Sequence, residues 1–394
     1  MNVNDYVLIN RKILGLVGLY PFNMPKYILC VACMFLIIIP QVVQIYQAWQ
    51  NLSVVLETSS VLLTIILAVL KSFIWMLKRK TLGPFITFML EDYWKIVQTN
   101  FTRKTEAYAT MARKITKGYL FLICNALLFF FTLPLGIMVT DSLNGKETIT
   151  KHFPFLATYP LSWYQTPMYE LVYLSQIFAT CTCGLIILGT DTLIATAMFH
   201  TCGHFQILQN KILGLDEINL KTERISNRYE SFIKQDSKDK IKQEIIRIIK
   251  HHQVVLWFYE KMEEQFSPMM FLQTLASSLI ICLVGVQVST TLTYRSKIME
   301  YASYLCMALF QLLLFCFPGD ELMNQSFSLN KRIYSIKWYD HSAEIKFIIC
   351  ILMLRNQKPC NLTAAKFYVM HLKSFGSILS TSLSYFMVLR SFNS

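Results

Sequence analysis

Charge is scarce in this chain: Asp, Glu, Lys and Arg make up 15% of its 394 residues, too little to clothe a water-soluble globule of that length. Glycine is scarce as well, at 13 residues. No phosphate-cradling glycine loop, nucleophile elbow or pair of carboxylates inside an apolar run is found, which argues against an enzyme. The 11 cysteines supply no disulfide framework, because Cys30, Cys33, Cys124, Cys181, Cys183, Cys282, Cys306 and Cys316 lie inside apolar runs, where cysteine behaves as a small hydrophobe. Cys181-Thr182-Cys183 therefore reads as packing. His200 and His204, four apart, share a helix face, but they lack the adjacent Glu and third ligand of a helix-borne zinc site. No metal and no cofactor is expected. Nothing before the first apolar run resembles a short h-region with a small-residue cleavage site, so the N-terminal segment is expected to be retained.

What the chain has instead is apolar and aromatic side chains: 54% hydrophobic residues, with 28 Phe and 20 Tyr. Runs of the roughly 20 residues needed to cross a bilayer occur at Tyr27 to Ala48, Ser59 to Leu77, Gly118 to Thr140, Leu171 to Met198, Met269 to Leu292, Met299 to Phe317 and Ala364 to Arg390. The expected fold class is all-α, a polytopic membrane protein with seven transmembrane helices. Basic residues concentrate in 78–117, 199–268 and 318–342, while the alternate connections carry few and the stretch between Gln50 and Thr58 carries none. Cytoplasmic loops keep positive charge, so the N-terminus is expected in the cytoplasm and the C-terminus outside. The formal charge of +13 then faces anionic membrane lipids rather than nucleic acid. Asn51-Leu52-Ser53 is a glycosylation sequon in the first outside loop.

The expected division is a cytoplasmic segment 1–26, helices one to four over 27–198, cytoplasmic helical extensions over 199–268, helices five and six over 269–317, a cytoplasmic segment 318–360 and the last helix over 361–394. Within 199–268, Ile241, Ile245, Ile248, Val255 and Tyr259 form an amphipathic stripe that requires a partner surface. Pro359 and its polar neighbours should split the seventh element into a piece from Ala343 to Leu354 and a helix after Asn361. Ionisable residues inside spans are few. Lys71 is near enough to an interface to snorkel, and Asp191 is expected to pair with a neighbouring helix. In the last helix Ser377, Thr381, Ser384, Val388 and Phe392 fall on one face, with Lys373 near its start. Such a face either permits close helix packing or lines water, and spacing does not choose between them.

The segment from Pro318 to Leu389 resembles the C-terminal region of insect odorant receptors, at Gly319, Leu322, Ser326, Tyr334, Trp338, Tyr339, Arg355, Gln357, Ala365, Lys366, Phe367, Ser384, Tyr385 and Phe386. The stretch DTLIATAMFHTCGHFQ and the overall length extend the resemblance over the whole chain. With a moderate connection between helices four and five, the chain is similar to the ligand-tuning subunits of that family rather than to its shared co-receptor. The resemblance implies a ligand-gated non-selective cation channel at the plasma membrane of a sensory neuron dendrite, a heterotetramer with the co-receptor. Each subunit would contribute its last helix to the pore, so Lys373, Ser377, Thr381, Ser384, Val388 and Phe392 would line it. Val388 and Phe392 would stand at the family's outer gate. The resemblance places a small volatile odorant in the outer half of the bundle, near Thr64, Ile65, Ala68, Leu133, Gly136, Thr140, Tyr169, Tyr173, Ile177, Tyr301 and Tyr304. Tyr301 and Tyr304 share a face and each offers a ring and a hydroxyl.

Three other readings fit less well. A related gustatory receptor channel would carry its own terminal signature in place of SYFMVL. A G-protein-coupled seven-helix receptor would have its N-terminus outside, an extracellular cysteine pair and Asn-Pro-x-x-Tyr in the last helix. A transporter built from inverted repeats would show matching halves.

Overall fold

The computed structural model describes residues 4–93, 95–96, 103–144, 151–226, 232–290 and 295–393. It is almost wholly helical. A short helix α1 (Asn4–Leu16) precedes α2 (Met24–Gln47) and α3 (Leu52–Leu77), and α4 (Arg79–Phe88) runs into a single π turn, Met89–Tyr93. Then come α5 (Arg103–Leu143), α6 (Met168–Ser226), α7 (Phe232–Thr290), α8 (Arg295–Ser335) and α9 (Ala343–Asn356). A two-stranded antiparallel hairpin, β1 (Thr363–Ala364) with β2 (Tyr368–Val369), leads into α10 (Leu372–Asn393).

Six helices among the described residues are long and apolar enough to cross a membrane. Two of them, α6 and α7, have 59 residues each, or about 88 Å at ~1.5 Å per residue, against a hydrocarbon layer of about 30 Å. Both must therefore project well beyond the bilayer. The Ile241, Ile245, Ile248 and Val255 stripe lies on the projecting part of α7 and is buried within the chain, while the Tyr259 hydroxyl donates to the Asn361 carbonyl at 2.9 Å. Prolines fall inside α2, α5, α7 and α8 (Pro40, Pro134, Pro268 and Pro318). Neighbouring helices in a bundle make the lost backbone bond tolerable.

The last apolar run requires a correction. It was expected to be helical from Ala364, with the last helix occupying 361–394, but the helix begins at Leu372. Residues 363–369 form the hairpin, whose tight turn places Ala365 and Lys366 at φ of 49° and 65°, a conformation that costs most non-glycine residues free energy. The turn is held from outside. Thr363 N–H donates to Glu263 at 2.9 Å, Ala365 N–H donates to the Ser267 hydroxyl at 2.9 Å, and that hydroxyl donates to the Thr363 carbonyl at 2.8 Å. Helix α8 fixes the same segment through Ser326, whose Oγ accepts from Cys360 N–H at 3.0 Å, and Asp320, which accepts from Leu372 N–H at 3.3 Å. Gly319 allows this approach, because a Cβ there would lie 2.2 Å from the Met370 carbonyl oxygen.

Lys71 also departs from expectation. Instead of snorkelling it is fully buried, its Nζ 2.5 Å from Asp191 Oδ1 on α6 and bonded as well to Gln273 on α7. The second carboxylate oxygen of Asp191 accepts from Gln311 Nε2 on α8 at 2.9 Å, and the same amide donates to Gln273 Oε1 at 3.0 Å. Four helices thus meet at one ion pair and two amides. All 11 cysteines are free.

Four substitutions test these constraints. Lys71→Leu should lower stability by about 3–5 kcal/mol, because it strands a buried carboxylate, and adding Asp191→Leu should recover much of the loss. Thermal unfolding of the purified protein reads both. Gly319→Ala should destabilise by about 1–3 kcal/mol through overpacking, whereas Gly136→Ala, where an added Cβ meets nothing within 4 Å, should leave the midpoint unchanged.

Candidate ligand cavity and hydroxyl-bearing helix

Next to the ion pair, with which it shares Gln311, the helices line a cavity of about 70 Å³. Its walls come from α3 (Val61, Thr64, Ile65), α5 (Tyr119, Ile123, Ala126, Leu127, Phe130), α6 (Thr180, Cys183, Gly184, Ile187) and α8 (Tyr304, Met307, Gln311), with Phe155 from the α5–α6 connection. A lining this apolar, with a few polar groups at fixed places, is typical of a site for a small neutral molecule.

Local sequence explains the position of each wall. Apolar residues recur at helical spacing along α3 and α5 because both helices bury one face against α6 or α7. Small residues on α6, Cys183 and Gly184, keep the space open: a Cβ on Gly184 would come within 3.1 Å of Ile123. Phe155 is held by Gln176, whose Oε1 accepts from Phe155 N–H at 3.1 Å and whose Nε2 donates to the Phe155 carbonyl at 3.3 Å. Its ring stacks on Phe130 with centroids 4.9 Å apart, and Phe130 meets Tyr304 edge to face at 6.0 Å. Tyr304 donates to the Ser60 carbonyl at 3.0 Å and its hydroxyl shares a further short hydrogen bond with Thr64. At the opposite end of the cavity Gln311 joins the wall to the Lys71–Asp191 pair.

Of the residues expected around a ligand, Thr64, Ile65 and Tyr304 line this cavity. The others lie elsewhere. Ala68 is buried, Leu133 and Ile177 are half-buried, and Gly136 and Thr140 are exposed. Tyr169 donates to the His152 carbonyl at 2.7 Å and Tyr173 to the Phe131 carbonyl at 2.6 Å, while Tyr301 is buried beside Glu57. Sequence reading missed Tyr119, Phe130, Phe155 and Gln311. The glutamine, a polar residue within an apolar run, was the one available signal.

On α10, Ser374, Ile378 and Ser382 are buried, and Ser382 Oγ donates to the Ser278 carbonyl of α7 at 3.2 Å. Lys373, Ser377, Thr381, Ser384 and Val388 are exposed on the single chain; the Phe392 side chain lies outside the described residues. Thr381 Oγ1 donates to the Ser377 carbonyl at 3.0 Å and Ser384 Oγ to the Ser380 carbonyl at 3.0 Å. Hydroxyls satisfied within their own helix keep their lone pairs turned outward. Asn51 is exposed at the start of α3 and accepts from the Ser53 hydroxyl at 2.8 Å.

His200 and His204 do not converge on a common ligand position. His204 Nδ1 lies 2.9 Å from His251 Nε2, and its ring stacks on Tyr93 at 3.6 Å. Among the described residues no group of three or more His, Cys, Asp or Glu could hold a metal ion.

A family model described as 7tm odorant receptor matches residues 51–383. Odorant receptor 13a of Drosophila melanogaster is 28% identical over 257 residues, 61% of this chain and 58% of that receptor. The chain is thus matched over less than two thirds of that relative's length. The odorant receptor coreceptor of Anopheles gambiae is 31% identical over only 141 residues, 36% of this chain and 30% of that protein. The backbone is similar to the insect olfactory receptor OR5 from Machilis hrabei, solved in complex with eugenol, with a TM-score of 0.77, 16% identity and coverage of 99% of this chain and 97% of that one. A family match across most of the sequence, with a fold shared over nearly its whole length, means that this multi-span membrane protein belongs to the insect odorant receptor family, whose members serve olfaction and are not enzymes.

Proposed function

We propose that the chain is the ligand-tuning subunit of an odorant-gated, non-selective cation channel of the plasma membrane, working as a heterotetramer with the family co-receptor. The observation that carries this reading is the pairing of an apolar cavity between the helices with a helix whose hydroxyl face is left exposed on the single chain. In this arrangement the N-terminus is cytoplasmic and the C-terminus extracellular, α10 is the seventh span, and Lys373, Ser377, Thr381, Ser384, Val388 and Phe392 face the conduction path. The projecting parts of α6 and α7, with α9, form the cytoplasmic anchor. Asn51 then lies outside, within reach of glycosylation.

The size of the cavity supports a coupling between binding and opening. At about 70 Å³ it is half the ~150 Å³ that an apolar protein cavity offers when it takes up benzene. A bulkier odorant is accommodated by the surrounding helices moving apart. Binding therefore favours an expanded arrangement, and the channel opens in proportion to the difference in affinity between the two arrangements. Eugenol, the molecule bound to the olfactory receptor of similar fold, is a reasonable first probe.

The functional test is current from cells expressing this chain with the co-receptor, recorded in excised patches without GTP. A volatile-evoked cation current is the expected result, and a response confined to intact cells with GTP would reject the channel reading. Tyr304→Ala should raise the half-maximal odorant concentration at least about tenfold, through loss of a buried ring and hydrogen bonds, with unchanged reversal potentials. Thr381→Ala should do the reverse, altering ion selectivity or block in ion-substitution recordings while sensitivity stays within about twofold.

A further inference from the structure

Nearly all hydrogen-bonding capacity around the cavity is used by the protein itself. Thr64 and Tyr304 bond to each other and to the Ser60 carbonyl, Thr180 donates to the Gln176 carbonyl at 2.7 Å, and Gln311 donates to Asp191 and Gln273. Tyr119 is different. It lines the cavity, is 0% exposed, and stacks on Phe310 with ring centroids 5.7 Å apart. Its hydroxyl is buried and has no hydrogen-bond partner among the described residues. A buried hydroxyl left in that state has lost its water without gaining a partner, and a buried tyrosine normally directs its polar tip to an acceptor.

We propose that Tyr119 is a specificity-determining residue whose hydroxyl donates a hydrogen bond to an oxygen of the bound molecule. This rests on the odorant reading above and deepens it by naming the ligand class: small neutral ketones, esters, ethers and alcohols, preferred over hydrocarbons of the same shape. The apolar body of such a molecule lies against Ile65, Phe130 and Phe155. A carboxylate is a poor match, because one neutral donor in an apolar box does not replace the water an anion gives up. A hydrocarbon fills the space but leaves the hydroxyl unpaired, and sites built around a hydrogen bond discriminate against ligands that lack it.

Isosteric pairs differing in one oxygen test the assignment on the full chain expressed with the co-receptor: acetophenone against α-methylstyrene, and 2-heptanone against 2-methyl-1-heptene. The wild type should respond to each ketone at a concentration about tenfold below that for its alkene, the size of one hydrogen bond. Tyr119→Phe keeps the ring and removes the hydroxyl. It should raise the half-maximal concentration for the ketones about tenfold, leave the alkenes within twofold, and so abolish the preference; the retained alkene response shows that the variant is assembled. A wild type that responds without preference overturns the proposal, as does a variant that shifts both members of a pair equally or neither. A wild type silent to every probe overturns the odorant reading and this inference with it, an outcome distinct from a response that lacks preference.

Discussion

A charge buried among apolar helices has to be answered where it stands. In a bilayer the alternative to a partner is an unsolvated ion, so the Lys71–Asp191 pair constrains everything around it. Lysine alone offers three donors and the carboxylate two acceptor oxygens, and Gln273 and Gln311 take up what the pair leaves over. The result fixes the relative depth and rotation of α3, α6, α7 and α8, since sliding any one of them by a single residue would break the network. Three of these helices, α3, α6 and α8, form the cavity together with α5. Gln311 belongs to both structures, so the polar lock is also part of the cavity wall.

The physical connection from cavity to α10 is short and made of few parts. Helix α8 carries Tyr304 and Gln311 at the cavity and, further along the same rod, Gly319, Asp320 and Ser326 against the hairpin segment. Helix α7 carries Gln273 in the polar lock, Glu263 and Ser267 on the hairpin, and Ser278 against Ser382. A displacement of α8 relative to α7 therefore acts at once on the cavity and on the support of α10. Ala365 and Lys366, held at positive φ by these contacts, make the support stiff: their conformation persists because neighbouring elements over-determine it.

How much of this could be read in advance depended on whether the cause was local. Six spans were legible because an apolar run of bilayer length has few other uses. The break at Pro359 was legible for the same kind of reason, since proline excludes a continuous helix, and α9 ends at Asn356, just before it. The start of α10 was not. Ala364, Ala365, Phe367, Tyr368, Val369 and Met370 read as the beginning of an apolar helix, and distant side chains, Glu263 and Ser267 of α7 with Asp320 and Ser326 of α8, hold the segment as a hairpin. Lys71 was misjudged similarly, because snorkelling depends on what lies above a lysine, and Asp191 is 120 residues away. Around the cavity, Thr64, Ile65 and Tyr304 followed from family resemblance, but Phe155 sits in a connection without periodicity and is placed by distant partners, Gln176 and the ring of Phe130.

Helix α10, with 22 residues, is long enough to cross a bilayer. Its side chains divide into unlike faces. One face is buried on α7 through Ser374, Ile378 and Ser382, another exposes Leu383, Tyr385 and Met387, and a third carries Lys373, Ser377, Thr381 and Ser384. Lipid on every side would leave the third face costly and water on every side would leave the second costly. A helix so divided suits a place between unlike neighbours, which the proposed channel assembly would supply. A face of small hydroxyl-bearing residues beside apolar ones is what the proposed pore-lining position would require.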